Sequence, residues 1–310
     1  MKPLSKHLGE YLDLRRRLGF KAKREAWLLS KFIRFLRAER RTFITTELAL
    51  AWAKQPSDAD PSWWASKLSV VRGFAKHVHL IDSRHQVPPR DLLPRNSRRT
   101  PPLIYSPEEV ARLLRAAREL ESPRVAGREF RRSTYETLLG LLAATGMRVG
   151  EAIRLECSDV DWTHRLLVVR ESKFRKSREV VLHDTVAHAL RRYARRRDRV
   201  HPRPRSPNFF VSLVGTRLIY NNVHNTFARL LRLASICRAK ARIHDLRHTF
   251  IVQTILRWHQ EGVDVDAHMP VLSTYVGHRD PSSTYWYLSA TPELMALVSR
   301  KVERALGALP

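Results

Sequence analysis

The 310-residue chain contains only two cysteines, Cys157 and Cys237. They provide neither a disulfide framework nor the closely spaced ligand pairs of a zinc site. We expect both to serve as small, buried apolar residues. The scarcity of cysteine excludes a disulfide-stapled secreted module and fits a reducing compartment inside the cell.

Long apolar runs are also missing. Residues 1–20 carry charges throughout and lack the apolar segment of a signal peptide. No stretch approaches the roughly 18 consecutive apolar residues that a membrane span requires. The sequence has no internal repeat and no low-complexity tract. We therefore expect a soluble protein in the cytoplasm and no membrane partner.

Acidic residues are few relative to basic ones. The chain has 30 Asp and Glu residues and 57 Lys and Arg residues, which gives a net charge of +27 and a pI near 11.1. Residues 1–100 carry +13 and the remainder carries +14. Such a charge repels itself in a folded chain unless a polyanion neutralises it, so nucleic acid is the leading partner. A ribosomal or merely soluble basic protein has a similar composition, and composition alone leaves that alternative open.

The apolar spacing of the first part predicts a small helical domain over residues 1–82. Helices are expected in the first 18 residues and over 24–38, 45–54 and 61–80. Residues 83–103 are rich in proline and arginine, which predicts an extended basic linker that lies along a phosphate backbone or is simply solvated.

Residues 104–310 are predicted to form a second domain. Its first helix starts at Ser106 with a capping box and ends near Glu121, and others are expected over 129–144, 184–198, 221–236, 245–258 and 291–306. Strands are expected over 166–171, 179–183 and 209–212. The predicted fold class is therefore mainly α with a small antiparallel β-sheet.

Two motifs indicate anion binding. In TGMRVGE, residues 145–151, Arg148 lies at a helix start beside free backbone amides, and Glu151 can hold its guanidinium. In IHDLRHTF, residues 243–250, His244 and Arg247 share one face of a helix with apolar neighbours. Burying that arginine is costly unless an external anion such as a phosphate pairs with it. A surface ion pair and a solvated polar face are the ordinary alternatives.

A third motif follows in YVGHRDPSSTYWYLSATPE, residues 275–293. His278 comes after a turn glycine, and Tyr285 and Tyr287 follow seven and nine residues later. A phenol with a pKa of roughly 10 is a poor nucleophile, but surrounding cations favour the phenolate. The alternative is a cluster of core aromatics.

These motifs, in this order and spacing, resemble the tyrosine recombinase (phage integrase) family over about residues 104–290. The resemblance implies a helical core-binding (SAM-like) DNA-binding domain, followed by a mixed α+β catalytic domain. It points to Tyr287 rather than Tyr285 as nucleophile. It also implies a lysine on the hairpin turn in ESKFRKSREVVLH, where Lys173 has the family's position and Lys176 is the second candidate.

The resemblance also implies a role for each residue. Tyr287 attacks the scissile phosphate and forms a 3′-phosphotyrosyl link. Arg148 and Arg247 bind the non-bridging oxygens of that phosphate. Lys173 protonates the leaving 5′-oxygen. His244 takes part in proton transfer.

In the same scheme, His278 donates a hydrogen bond to the phosphate and Glu151 supports the first arginine. No cofactor or metal is implied, since the arginines do what divalent metals do elsewhere.

The implied function is site-specific DNA recombination by an enzyme of a mobile element, with strand exchange through a Holliday junction on double-stranded DNA and location at the nucleoid. A homo-tetramer on synapsed DNA is expected, with accessory proteins left open. The apolar stripe over 291–306 packs on a neighbouring protomer or on its own domain. A type IB topoisomerase-like relaxer and an inactive DNA-binding regulator are the alternatives.

Overall fold

The computed structural model describes residues 3–94, 102–121, 127–170, 177–239, 241–278, 280–290, 294–295 and 299. Contacts divide the chain into two compact units, residues 1–100 and 101–310. The described residues are mostly helical with one small antiparallel sheet, which confirms the predicted fold class. Among them, no helix combines the length and the apolar composition needed to cross a membrane.

The described residues of the first unit form four helices: α1 (Leu4–Arg17), α2 (Lys23–Ala38), α3 (Thr46–Ala53) and α4 (Pro61–His79). Helix α4 begins where the Asp60 carboxylate accepts the Ser62 backbone N–H and Pro61 takes the first helical position. The apolar stripes of α2 and α4 meet in a fully buried core centred on Phe32 and Phe74.

Part of the predicted linker, residues 83–103, packs on this first unit. The Arg72 guanidinium donates to the carbonyls of Pro88 and Pro89 at 2.7 and 2.6 Å. The His85 ring lies 3.1 Å from the Ile44 backbone nitrogen, and Leu93 joins the apolar core. Residues 95–101 lie outside the described residues.

The second unit holds the remaining elements of the described chain. Its helices are α5 (Pro107–Arg118), α6 (Arg128–Thr145), α7 (Val149–Arg154), α8 (Asp184–Val200), α9 (Tyr220–Leu233), α10 (Asp245–Gln260), α11 (Val265–Val276) and α12 (Ser282–Ala290). The predicted capping box is present at α5, where Ser106 and Glu109 exchange side-chain and backbone hydrogen bonds. One large apolar core packs α5, α6, α8 and α9 together.

The sheet has the order β1 (Val160–Asp161), β2 (Leu166–Val169), β3 (Arg178–Val181), and all its pairs are antiparallel. Leu167 pairs with Val180 and Val169 with Arg178. Because side chains alternate along a strand, these four share the sheet's inner face. Arg178 therefore points the same way as three buried aliphatic residues.

The structure corrects two predictions and contains two helices that the sequence pattern did not predict. Residues 209–212 form no sheet strand, since the chain there makes only isolated bridges, such as Val211 with Arg217. Helices α11 and α12 were not predicted. Both cysteines are exposed rather than buried, and the Cys157 sulfur accepts a hydrogen bond from Arg197 at 3.0 Å.

The predicted C-terminal helix, residues 291–306, lies largely outside the described residues. Its Leu294 is described and is buried against α10 and α11 residues.

Candidate active site

Arg148 stands at the start of α7, held on two sides. Its Nη1 donates to Glu151 Oε1 at 2.9 Å, and its Nη2 donates to the Gly277 carbonyl at 2.9 Å. The Arg148 backbone N–H donates to the other Glu151 oxygen at 3.0 Å. One third of the side chain remains exposed. The guanidinium is thus oriented by the protein while part of it faces solvent.

Arg178 is a site residue that the sequence reasoning missed. It donates two hydrogen bonds to the Glu151 carboxylate, at 3.2 and 2.8 Å, and a third to the Tyr275 carbonyl at 2.7 Å. Burial of Glu151 raises the pKa of its carboxyl, but the hydrogen bonds and charges of Arg178 and Arg148 outweigh burial and hold this pKa at about 2. Glu151 is therefore a carboxylate shared by two arginines from different elements. An arginine on the inner face of a strand is the signal that could have revealed it.

Replacing Arg178 by Met is expected to lower the free energy of unfolding by about 3–5 kcal/mol, because it removes a partner from a buried carboxylate. Urea unfolding measures this. Arg118→Met is the matched control, since it breaks an exposed pair with Glu136 and is expected to cost less than about 1 kcal/mol. Equal, small losses in both variants would contradict the structural role of Arg178.

Arg247 is almost fully buried on α10. Its Nη1 donates to the Gly146 carbonyl at 2.7 Å, whereas its Nη2 is buried with no hydrogen-bond partner in the described part of the chain. Burial first, and the nearby Arg148 charge second, lower the pKa of Arg247, although it stays protonated at neutral pH. An unpaired buried donor of this kind is costly to the fold, and an anion would satisfy it.

The backbone carbonyls of two glycines accept the hydrogen bonds that orient Arg247 and Arg148. Gly146 and Gly277 adopt the left-handed conformation, with φ of +61° and +72°. A Cβ on Gly146 would lie 2.5 Å from the Phe250 ring, and one on Gly277 would lie 2.7 Å from Arg178 Nη1. Only glycine combines this backbone angle with such close packing.

Three histidines and one tyrosine complete the cluster. The His248 Nδ1 lies 2.6 Å from the Tyr287 hydroxyl, and the His244 ring meets the His248 ring edge-on with centroids 4.9 Å apart. The His278 ring lies nearly parallel to the Tyr287 ring, at 6.4 Å, and its Nδ1 lies 2.7 Å from the Thr284 hydroxyl.

The two candidate tyrosines differ in position. Tyr287 is 3% exposed and belongs to this cluster, whereas Tyr285 is 38% exposed.

The structure thus brings together five of the six predicted catalytic residues: Arg148, His244, Arg247, His278 and Tyr287. Lys173, and with it Lys176, lies outside the described residues. His248 was missed as a site residue, although it stands in the motif that contains His244 and Arg247. Among the described residues, no group of three His, Cys, Asp or Glu side chains is placed to hold a metal ion.

The histidines are held neutral. Burial, followed by the Arg247 charge, lowers the pKa of His244, and the same two causes followed by Arg148 lower the pKa of His278 to about 3. Burial, then His244, Arg242 and Arg247, lowers the pKa of His248 to about 3. Neutral imidazoles can accept protons or donate one ring N–H, according to the tautomer.

These pKa values predict a loss of stability in mild acid. The folded histidines have pKa values below the 6.5 of the unfolded chain, so the unfolded state binds more protons below about pH 6.5. The free energy of unfolding is therefore expected to fall from pH 6.5 towards pH 5.5, above the range in which the Glu151 carboxyl of the unfolded chain takes up protons. Urea unfolding at several pH values measures it. In His278→Phe this dependence is expected to be weaker, and an unchanged slope would count against a neutral buried His278.

A family model described as the phage integrase family matches residues 105–293. "Putative integrase/recombinase y4rB" of Sinorhizobium fredii is 41% identical over 98% of both chains. "Tyrosine recombinase XerD" of Brucella abortus is 30% identical over 77% of this chain and 75% of its own. Among solved structures, the Tn1549 transposon integrase in complex with transposon right end DNA matches with a TM-score of 0.65, at 16% identity over 97% of this chain and 99% of that one.

Proposed function

The chain belongs to the phage integrase family and is a tyrosine site-specific recombinase, and from that premise we propose that it cuts and rejoins double-stranded DNA through a 3′-phosphotyrosyl intermediate, with strand exchange through a Holliday junction. The observation that carries the proposal is the buried Nη2 of Arg247, which has no hydrogen-bond partner among the described residues and lies near Arg148 and Tyr287. A scissile phosphate would supply the missing acceptor.

The proposed reaction uses the residues of this cluster together with Lys173. The Tyr287 oxygen attacks phosphorus in line with the departing 5′-oxygen. Arg148 and Arg247 stabilise the charge that builds on the non-bridging oxygens. His278 donates a hydrogen bond to the phosphate through its ring N–H, and Lys173 protonates the 5′-oxygen, with Lys176 as the alternative acid.

Glu151 and Arg178 support this arrangement without touching the substrate. The carboxylate orients Arg148, and Arg178 holds the carboxylate. His244, to which the family resemblance gives a part in proton transfer, contacts the His248 ring edge-on.

We further propose that four protomers assemble on synapsed DNA, because exchanging both strands of two duplexes uses four nucleophiles. The net charge of +27 suits wrapping around duplex phosphates. A role in the movement of a mobile element fits this chemistry. Sedimentation of the protein with target DNA is expected to show four protomers at synapsis, and one protomer per site throughout would count against the tetramer.

A suicide DNA substrate, nicked so that the cut fragment diffuses away, tests the function directly. The wild-type protein is expected to form a covalent adduct that survives a denaturing gel. A plasmid carrying two target sites separates the alternatives. Recombinant products support exchange, relaxed circles alone support a type IB topoisomerase-like activity, and binding with neither supports a regulator.

A further inference from the structure

His248 contacts the hydroxyl group of Tyr287, the proposed nucleophile. The Tyr287 Oη lies 2.6 Å from His248 Nδ1, and both side chains are largely buried. We propose that His248 is the catalytic base that removes the phenolic proton of Tyr287 as DNA is cut. The proposal rests on the proposed function, in which Tyr287 is the nucleophile.

The surroundings select the tautomer that this role requires. A phenol O–H can donate to Nδ1 only if that nitrogen carries no proton, so the ring proton must sit on Nε2. The Asp245 Oδ1 lies 4.0 Å from His248 Nε2, and the Asp245 side chain is fully buried. Arg242 holds this carboxylate through its backbone N–H and its Nη2, at 2.7 and 2.9 Å. This negative charge lies beyond hydrogen-bond distance of Nε2 and favours a proton on that nitrogen by electrostatic attraction alone.

The charges around His248 make its proton affinity depend on whether a DNA phosphate is bound. In the free protein the imidazole is neutral, because burial, His244 and the cations Arg242 and Arg247 oppose its protonation. A phosphate bound between Arg148 and Arg247 adds negative charge and offsets those cations. The proton affinity of His248 then rises, while the same arginines stabilise the phenolate. The base thus gains strength when a substrate is present.

The step balances in both directions. The proton moves from Tyr287 Oη to His248 Nδ1, the Oη–P bond forms and the P–O5′ bond breaks. The departing 5′-oxygen takes a proton from the general acid, Lys173 in the proposed scheme. In rejoining, the 5′-hydroxyl returns its proton to that acid and attacks phosphorus, while His248 returns its proton to Oη.

Single-turnover cleavage of the suicide substrate tests this role. His248→Ala removes the acceptor, whereas His248→Asn keeps an acceptor near the Nδ1 position without a basic nitrogen. Both are expected to slow cleavage by about 10²–10⁴-fold at unchanged DNA affinity. His268→Asn, at an exposed histidine of α11, is the matched control and is expected to cleave at the wild-type rate.

A substrate with sulfur at the 5′-bridging position separates base from acid. Its thiolate leaves without a proton, so it is expected to restore cleavage in Lys173→Ala and to leave the His248 variants slow. Cleavage at the wild-type rate in His248→Asn, or rescue of the His248 variants by sulfur, would overturn the proposal. A wild-type protein that forms no adduct overturns the proposed function itself.

Nitrogen-15 NMR of labelled histidines provides a test on the unaltered protein. His248 Nδ1 is expected to give the signal of an unprotonated ring nitrogen and to shift in Tyr287→Phe. A protonated Nδ1 would make the tyrosine oxygen the acceptor and would overturn the proposal without relying on a substituted His248.

Discussion

Replacing Tyr287 by Phe is expected to abolish the covalent protein–DNA adduct, while Tyr285→Phe is expected to leave it intact. The two residues lie two positions apart on α12, but only Tyr287 is buried in the cluster, with its hydroxyl 2.6 Å from His248. Removing the oxygen removes the only atom that can bond to phosphorus in the proposed step. The loss is therefore expected to be complete within detection on a denaturing gel with the suicide substrate.

The Phe variant is expected to keep its affinity for DNA, because the ring that packs against His278 and Trp286 remains. A gel shift with the same duplex measures this. An adduct that persists in Tyr287→Phe and disappears in Tyr285→Phe would transfer the nucleophile to the exposed tyrosine. Loss of the adduct in both variants would point to a general disturbance of α12.

The second large effect concerns Arg247, where activity and stability are expected to change in opposite directions. Arg247→Met is expected to lower the cleavage rate by a hundredfold or more, since a guanidinium aimed at the developing charge is lost. The same change is expected to raise the free energy of unfolding by about 1 kcal/mol or more. It replaces a buried cation, whose Nη2 finds no acceptor in the described part of the chain, by an apolar chain of similar length.

Single-turnover cleavage and urea unfolding of the DNA-free protein measure the two effects. Arg257→Met, at an exposed position later on α10, is the matched control and is expected to change neither quantity appreciably. If Arg247→Met destabilises the protein as strongly as Arg178→Met, the Arg247 guanidinium stabilises the fold and is not a phosphate-binding group left without its ligand.

Local patterns account for what the sequence predicts well. The start of α5 is encoded in four adjacent residues from Ser106 to Glu109, so its capping box can be read without the fold. The family resemblance likewise depends on short motifs and their order, and the fold class and family that it implied are confirmed.

Long-range partners explain what the sequence does not give. Arg178 acts through Glu151, which lies 27 positions earlier, and His248 acts through Tyr287, 39 positions later. No periodicity reveals such pairs, because they form only when separate elements pack together. The prediction of a strand over 209–212 failed for a related reason: an apolar run becomes a sheet strand only where a partner strand lies beside it.

The Gly146 carbonyl, in the loop that leads into Arg148, accepts a hydrogen bond from Arg247. The Gly277 carbonyl, in the loop that leads into His278, accepts one from Arg148. Each arginine is thus positioned by a hydrogen bond to the backbone next to another reactive residue. Because the acceptor is a peptide oxygen, replacing the side chain at that position does not remove it. Laboratory evolution of new target preference could therefore alter many exposed side chains while the spacing of the reactive groups persists, provided that both glycines are kept.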